Sequence, residues 1–192
     1  MRSIQRNLFE QLQAPSAKRE YKRRLIHGGA ASKGKRKLRR PLATKKWIHL
    51  VLKSNKAMGK LSMLASRNAE FIDKLIAAKA KKFGVEVKEF VNMGNHVHFQ
   101  IRIASRESFQ NFLRSISNLI ARQVTGARKG KRFGKFWQDL AFTRVIVSAF
   151  ELTGLERYML ANKIQRKQGY GARERYLASL NKWMKSLKAA PG

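Results

Sequence analysis

The chain has 192 residues, of which 43% are apolar, so it is long enough to bury the core of one domain. Its 43 Lys and Arg residues against 11 Asp and Glu residues give a net charge of +32, which indicates a polyanion such as nucleic acid as the usual partner. The absence of cysteine excludes disulfides, thiolate metal ligands and cysteine nucleophiles, and without an apolar stretch of roughly 20 residues we expect a soluble cytoplasmic protein with no membrane partner.

Basic and helix-breaking residues dominate the N-terminal part of the chain. The run HGGAASKGKRKLRRP at residues 27–41 combines several Lys and Arg with Gly and Pro, and the sequence before it is also basic. We therefore predict a flexible basic arm over residues 1–43. Residues 44–168 are predicted to form the main domain, and residues 169–192 a helical tail.

Strand and helix patterns follow the arm. The segment WIHLVLK at residues 47–53 is apolar and alternating, which predicts a first strand, and apolar residues at helical spacings predict a helix over 60–83. Two alternating segments, 85–91 and 96–103, flank turn residues and predict a hairpin. The first half of the domain therefore follows the order βαββ.

The second half adds a helix, a strand and two further helices. A helix is predicted from the N-cap Ser105 to about Val124, followed by a basic loop at 125–135 and a strand at 137–147. Helices are predicted from Phe150 and over 173–187. The order βαββαβ predicts a ferredoxin-like α+β fold, with an antiparallel sheet that two helices cover on one face and that is open on the other. We expect the helix from Phe150 to lie on the open face.

The second strand of the hairpin carries two histidines. Because side chains alternate along a strand, His96, His98 and Gln100 share one face, whereas Val97 and Phe99 face the two covering helices. Two imidazoles two residues apart can converge on one cation. Contact with phosphate, or simple solvation, is the alternative interpretation of this pair.

Two polar residues of the third helix share a face. Tyr158 and Asn162 lie four residues apart, so a nucleophile and an amide ligand could enter one site together. The alternative is that Tyr158 is a half-buried aromatic anchor of this helix. His49 lies on the open face of the first strand, where it either supports the site or serves as a structural histidine.

The segments NHVHFQI at 95–101 and RYMLANKI at 157–164 resemble the HUH superfamily of single-tyrosine, IS200-like transposases, and in particular the REP-associated tyrosine transposases. In that family two histidines around an apolar residue bind metal, and a helical tyrosine is followed four residues later by Asn or Gln as the third ligand. The resemblance covers about residues 40–168. Lys163 and Ile164 depart from the proline of many relatives, and the N-terminal arm is longer than in minimal members.

The resemblance implies a metal-dependent single-strand DNA endonuclease and strand transferase. His96, His98 and Asn162 would hold Mg²⁺ or Mn²⁺, and Tyr158 would attack the phosphate to leave a 5′-phosphotyrosine. The ligand set by itself also permits Co²⁺ or Zn²⁺. The implied substrate is single-stranded and hairpin DNA, such as REP-like palindromes.

Nucleic-acid contacts are expected from basic side chains of the arm, the basic loop and the end of the tyrosine helix, with one aromatic residue stacking on a base. They are Lys33, Lys35, Arg36, Lys37, Arg39, Arg40, Arg128, Lys129, Lys131, Arg132, Phe133, Lys135, Arg166 and Lys167.

Other functions fit the same residues. A non-catalytic or domesticated protein that binds DNA or RNA hairpins on a ferredoxin-like sheet is the main alternative, and a replication-initiation or relaxase-like nickase is another. A candidate nucleophile, Tyr158, that lies downstream of the histidines favours the transposase. The tail residues Tyr176, Leu180 and Trp183 could cover the surface through which minimal relatives pair, so we expect a monomer rather than a homodimer.

Overall fold

The structure, a computed structural model, describes residues 24–34 and 38–189. Within these residues there is one five-stranded sheet, made of β1 Ile26–His27, β2 Ile48–Lys53, β3 Val85–Asn92, β4 His96–Ile103 and β5 Phe142–Val145. The α-helices of the described part are α1 Ser66–Phe83, α2 Arg106–Thr125, α3 Ala149–Gln168 and α4 Tyr170–Ala189, and short 3₁₀ turns lie at Gly29–Ser32 and Gly59–Leu61. None of these helices is both long and apolar enough to cross a bilayer.

The strand order is β1-β5-β2-β4-β3, and every neighbouring pair is antiparallel. The central unit β2-α1-β3-β4-α2-β5 follows the predicted order βαββαβ, so the ferredoxin-like fold is confirmed. β4, which carries the two histidines, lies between β2 and β3 and cannot move without disturbing both neighbours.

The two faces of the sheet have different coverings. On one face, Leu50 and Phe99 are fully buried with residues of α1 and α2, as the alternation of β2 and β4 predicts. On the other face, Val91 packs in a smaller apolar cluster with Leu155 and Met159 of α3. Burial of each such side chain contributes about 1.5–3 kcal/mol, so α3 is docked by apolar contacts as well as by its polar ones.

A bulge in β3 interrupts the alternation of this edge strand. Val87 pairs with Ile101 and Glu89 with Gln100, so Lys88 is the extra residue. Beyond the bulge, Phe90 lies opposite Phe99 on the face that α1 and α2 cover. Val91 lies opposite His98 on the face that α3 covers. The bulge thereby places an apolar side chain beside the histidines.

The first helix is shorter than predicted, because it begins at Ser66 rather than at residue 60. The preceding segment is held by the turn of the hairpin: the Met63 amide donates to the Gly94 carbonyl at 2.8 Å, and the Asn92 side-chain amide donates to the Met63 carbonyl at 2.7 Å. These long-range bonds compete with helix formation. The predicted end is confirmed, because Gly84 caps the helix with φ +61°.

The strand predicted over 137–147 is also shorter, because β5 spans only Phe142–Val145. The Trp137 indole donates to the Ser117 carbonyl at 2.9 Å, and the backbone N–H of Gln138 donates to the Lys53 carbonyl at 2.9 Å. The residues before β5 therefore pack against α2 and the end of β2 instead of joining the ladder.

Part of the predicted flexible arm belongs to the sheet. Ile26 and His27 pair with Arg144 and Thr143, which adds an edge strand that the sequence did not predict. Farther along, the Arg40 guanidinium donates at 2.7 Å to both the Ala141 carbonyl and the Thr143 hydroxyl. The interpretation as a flexible arm is therefore wrong for these residues, while residues 1–23 and 35–37 lie outside the described part.

The last two helices agree closely with the prediction. α3 begins at Ala149, where the Ser148 hydroxyl accepts from the Glu151 amide, and α4 begins at Tyr170 rather than at residue 173. α4 packs against α3. Trp183 lies in α4, but its side chain is outside the described part.

Candidate active site

The two histidines of β4 lie side by side on the sheet face that α3 covers. Their ring centroids are 4.7 Å apart and the rings are nearly perpendicular. His98 is 2% exposed, whereas His96 is half-buried at the start of the strand and lies opposite Lys53. The alternation of β4 thus brings both imidazoles together, as the sequence predicts.

A third histidine lies behind this pair. His49 of β2 is buried, its ring stacks on that of His98 at 5.4 Å, and its Nε2 is 3.2 Å from Nδ1 of His98. One of these two nitrogens donates and the other accepts. If His98 donates from Nδ1, its Nε2 keeps a lone pair, and this atom is buried without a hydrogen-bond partner among the described residues.

Burial keeps the three imidazoles neutral. Desolvation, reinforced by the nearby Arg144, lowers the pKa of His49 to about 3, and desolvation with the charge of Lys53 lowers the pKa of His96 to about 4. Desolvation and the two neighbouring histidines hold the pKa of His98 well below its usual value. At neutral pH the rings are therefore uncharged, so His96 and His98 can each offer a lone pair to a cation, whereas His49 uses its lone pair if His98 donates to it.

Tyr158 of α3 lies against the buried histidines. The Tyr158 ring lies 5.3 Å from the His98 ring and 6.0 Å from the His49 ring, measured between centroids. One turn later, Asn162 is 3% exposed and its side-chain nitrogen is buried without a partner within the described residues. Tyr158 therefore faces the histidines, and Asn162 follows it one turn later on the same helix, as their spacing of four predicts.

Ion pairs connect α3 to β5 at its start and to β3 near its end. At its start, Glu151 accepts from Arg144 of β5 at 2.8 Å, and the two side chains are 5% and 11% exposed. Near its end, Lys163 pairs with Glu89 of β3 at 2.7 Å. A further exposed pair, Lys88 with Glu156, lies between these positions. These pairs align the helix across the histidine-bearing strand.

The polar side chains of the site fit a metal ion. His98 Nε2, Gln100 Nε2 and Asn162 Nδ2 are buried without partners in the described part, and such orphaned atoms require an explanation. No group of three His, Cys, Asp or Glu side chains that could hold a metal ion is found among the described residues, so the Asn162 amide is the candidate for a third ligand. Rotation of the Asn162 amide by 180° would turn its oxygen to the position of its nitrogen.

The basic loop packs against the residues that follow the end of β2. Arg128 and Lys131 exchange two backbone hydrogen bonds of 3.0 and 2.9 Å, which form a tight turn. Below this turn, Lys56 lies 5.2 Å from the centre of the Phe133 ring, and the Ser54 hydroxyl donates to the Phe136 carbonyl at 2.6 Å. Since these residues follow Lys53, the loop approaches the end of β2 that lies opposite His96.

Comparison with known proteins identifies the family. The family model described as IS200-like transposase matches residues 43–162, which is more than half of the 192-residue chain and includes β2, both histidines, Tyr158 and Asn162. The chain belongs to the IS200-like transposase family. No curated protein matches it.

Two solved structures are similar to this transposase. A REP-associated tyrosine transposase bound to a REP hairpin matches with a TM-score of 0.53 and 16% identity, over 69% of this chain and 74% of that one. A protein from Deinococcus radiodurans R1, provisionally named a transposase, matches with a TM-score of 0.40 and 16% identity, over 66% of this chain and 98% of that one. The first match supports the α+β fold.

The predicted nucleic-acid contacts of the transposase lie in different settings. Lys33, Arg39, Lys135 and the loop residues Arg128, Lys129, Lys131 and Arg132 are exposed, as are Arg166 and Lys167 in the last turn of α3. The Arg40 guanidinium is instead used within the fold, and Phe133 is half-buried beneath Lys56. Lys35, Arg36 and Lys37 lie outside the described residues.

Two features of the candidate site were not predicted from the sequence. Lys53 lies opposite His96, and the alternation of β2 could have placed it on the same face as His49. The ion pair between Arg144 and Glu151 carried no signal in the sequence, because it depends on how β5 registers with β2 and on where α3 docks.

Proposed function

We propose that this IS200-like transposase is a metal-dependent single-strand DNA endonuclease and strand transferase that works through a phosphotyrosine intermediate. The observation that carries the proposal is the approach of Tyr158 to His98, with ring centroids 5.3 Å apart, beside an unpartnered Asn162 amide. A phenol next to an imidazole with a free lone pair and a buried amide is the arrangement that a metal-assisted tyrosine nucleophile requires.

His96, His98 and Asn162 would hold the divalent cation, for which we propose Mg²⁺ or Mn²⁺. A cation bound there would polarise the scissile phosphate and neutralise its charge. His49 would position His98, because their hydrogen bond selects which ring nitrogen of His98 carries the proton. The neutral histidines favour this role, because they do not need to lose a proton before they bind metal.

Tyr158 would supply the nucleophile. Its phenolic oxygen forms a bond to phosphorus after losing its proton, the bond from phosphorus to the 3′-oxygen breaks, and the departing 3′-oxygen gains a proton. The products are a 5′-phosphotyrosine and a free 3′-hydroxyl, and attack by a 3′-hydroxyl on the phosphotyrosine joins strands without a further energy source.

The proposed substrate is single-stranded DNA beside a hairpin. The net charge of +32 favours a polyanion, and the basic loop and the last turn of α3 present exposed basic side chains that can contact phosphates. A structural neighbour with the same fold binds a REP hairpin, which supports hairpin DNA as the ligand here. Because Tyr158 lies beside the histidines of its own chain, the site needs no second copy, and a monomer is proposed.

The test is covalent capture of DNA. The protein is incubated with 5′- and 3′-labelled hairpins carrying single-stranded flanks, in Mn²⁺ or Mg²⁺, and is analysed on a denaturing gel. We expect a protein–DNA adduct that is lost in His96→Ala, His98→Ala and Tyr158→Phe and in the presence of EDTA. Tyr170→Phe, at an exposed tyrosine of α4, is the matched control and should retain the adduct.

The main alternative is a non-catalytic protein that binds hairpins. The packing of Tyr158 against the apolar cluster of Val91, Leu155 and Met159 favours it, because an anchoring aromatic would pack in the same way. Such a protein would bind the hairpins in a gel-shift assay as tightly in Tyr158→Phe as in the wild type. It would form no adduct with any hairpin, and this outcome would contradict the proposed enzyme.

A further inference from the structure

A cavity lies beside α2, on the side of the sheet opposite the histidines. It has a volume of about 530 Å³, within the usual range for sites that bind small molecules. Its walls come from Lys33, next to the 3₁₀ turn at Gly29–Ser32, from Asn118 of α2, and from residues 134–137 and 139–140 before β5. Because α2 covers the sheet face opposite the histidines, this cavity is separate from the proposed active site.

The walls of this cavity are held in place by the fold. The indole of Trp137, which forms part of the lining, donates from Nε1 to the Ser117 carbonyl at 2.9 Å. Phe136 is 5% exposed and its carbonyl accepts from the Ser54 hydroxyl at 2.6 Å. The segment that lines the cavity is therefore tied both to α2 and to the residue that follows β2.

An unpartnered carboxylate lines the cavity. Asp139 is half-buried and forms no hydrogen bond or ion pair with the described residues. By contrast, six of the acidic side chains described form ion pairs: Glu70, Glu86, Glu89, Glu151, Glu156 and Glu174. A half-buried carboxylate without a partner is a free acceptor for hydrogen bonds from a ligand.

The other lining groups indicate which ligand would carry those donors. Lys33 and Lys135 are exposed cations at the same cavity, and Trp137 offers a half-buried aromatic surface. Lysines suit phosphate, an indole suits a flat ring, and a carboxylate accepts N–H groups from the edge of a base. A nucleotide of an unpaired strand offers all three groups: a phosphate, a flat ring and N–H donors on the edge of its base.

A carboxylate also selects among the bases. Guanine presents two adjacent N–H donors, N1–H and the N2 amino group, to the two oxygens of a carboxylate. Adenine and cytosine each place a ring acceptor beside their single amino group, which repels a carboxylate, and thymine places its one N–H between two carbonyls. Guanine is therefore the base that matches Asp139.

We propose that this cavity binds an unpaired guanine nucleotide, with Asp139 accepting from the guanine edge and with Lys33 and Lys135 contacting the flanking phosphates. The proposal rests on the proposed function in one respect, namely that single-stranded DNA is the ligand. It does not depend on the tyrosine chemistry. The cavity would select the sequence of the bound strand at a distance from the place where the strand is cut.

The test compares single-stranded oligonucleotides that differ at one base. Fluorescent dT₁₁ strands carrying a central guanine, inosine, adenine or cytosine are titrated with the full chain in EDTA, and binding is followed by anisotropy. Inosine differs from guanine only by the missing N2 amino group. We expect the guanine strand to bind about fivefold or more tightly than each of the others, because a bidentate base contact discriminates by at least that factor.

Variants assign the preference to the cavity. Asp139→Asn should bind all four strands alike, whereas Asp73→Asn, which removes the same charge from an exposed position of α1, should keep the preference for guanine. Lys135→Gln should weaken binding of all four strands by a similar factor and leave their ratio unchanged. Thermal unfolding of each variant shows whether it is folded.

Two outcomes would overturn the proposal: equal affinity of the wild type for all four strands, or an unchanged guanine preference in a folded Asp139→Asn. Absence of binding to any of the strands would overturn it as well. Failure of adduct formation together with an Asp139-dependent guanine preference would contradict only the proposed enzyme. The reverse pattern would contradict only the guanine site.

Discussion

His49 shows how a residue that need not touch substrate can control the proposed site. Its Nε2 lies 3.2 Å from Nδ1 of His98, and both rings are buried. Partners that bond to the second nitrogen of a metal-binding histidine orient the ring and set its proton. His49 is therefore assigned as a positioning residue of the proposed metal site.

We predict that His49→Phe weakens Mn²⁺ binding by about tenfold, since loss of such a partner costs 10–100-fold in metal affinity in other proteins. Phenylalanine fits the aromatic surroundings of Phe142 and Tyr158, so the variant should fold. Calorimetric titration with Mn²⁺ measures the affinity. His27→Phe, in an edge strand away from the site, is the control and should bind Mn²⁺ as the wild type does. An unchanged affinity in His49→Phe would show that His49 is only structural.

The residues of the site were predictable to different degrees. His96 and His98 followed from strand alternation, and Tyr158 and Asn162 from helical spacing, because both patterns depend only on local geometry. The contact between His49 and His98 needed the register of two strands 49 residues apart in sequence. Such registers are set by packing of the whole sheet, and local patterns do not contain them.

At the scale of elements, the position of α3 decides whether Tyr158 reaches the histidines. The Ser148 cap fixes where the helix starts, and apolar contacts of Leu155 and Met159 fix which face is buried. The pair of Arg144 and Glu151 then ties the first turn to β5. The cap therefore fixes the start of the helix, the apolar contacts fix its rotation about its own axis, and the ion pair fixes the position of its first turn on the sheet.

We predict that Glu151→Gln destabilises the protein by about 3 kcal/mol, since removal of one partner leaves a buried charge without its counter-ion. Formation of the proposed DNA adduct should fall with it, because the first turn of α3 would be released from β5. Thermal unfolding and the adduct assay measure the two effects. Glu70→Gln breaks an exposed pair on α1 and should change neither. Equal stability of the two variants would contradict the assigned role.

The edge strand β1 depends on one glycine. Gly28 has φ +80°, and a side chain there would overlap the carbonyl oxygen of Ala141. We predict that Gly28→Ala lowers stability markedly more than Gly130→Ala. Gly130 also has φ +80°, but it has open space around it and should show only the backbone cost of about 1 kcal/mol. Chemical denaturation compares the two, and similar losses would mean that the contact with Ala141 relaxes.

The ends of the elements were harder to predict than their order. The helical pattern of 60–83 and the strand pattern of 137–147 both extended too far, because hydrogen bonds to the carbonyls of Gly94, Ser117 and Lys53 hold the extra residues in other conformations. β1 was missed altogether, since two residues carry no periodic signal. The order βαββαβ was predictable because each segment has its own apolar period.

At the scale of the whole molecule, the charge of +32 is the dominant feature. Binding of such a protein to DNA releases counter-ions, so its affinity must fall steeply with salt. The basic residues of the loop lie at the tight turn of Arg128 and Lys131, which follows the end of α2. Lys81 and Lys82 lie instead in the last turn of α1, beside the start of α2. This separation allows the contribution of the loop to be measured.

We predict that the double variant Lys129→Gln, Lys131→Gln reduces the slope of log K against log salt by about 1.4 for single-stranded DNA, at about 0.7 for each lost phosphate contact. The control, Lys81→Gln with Lys82→Gln, removes the same charge from the last turn of α1. That turn lies beside the start of α2, since the Ser108 hydroxyl contacts the Phe83 carbonyl, whereas the loop follows its end. Equal slopes for the two double variants would mean that the loop does not contact phosphate.

The two outer strands of the sheet also bear on how the protein behaves at high concentration. An exposed strand edge is a template onto which another molecule can add a strand, and aggregation often begins there. β1 is only two residues long, with no strand beyond it in the described part, and β3 is interrupted by its bulge and carries Glu86, Lys88 and Glu89 in ion pairs. Neither edge offers a long, flat and apolar row of backbone groups, so copies of this sheet should not join edge to edge.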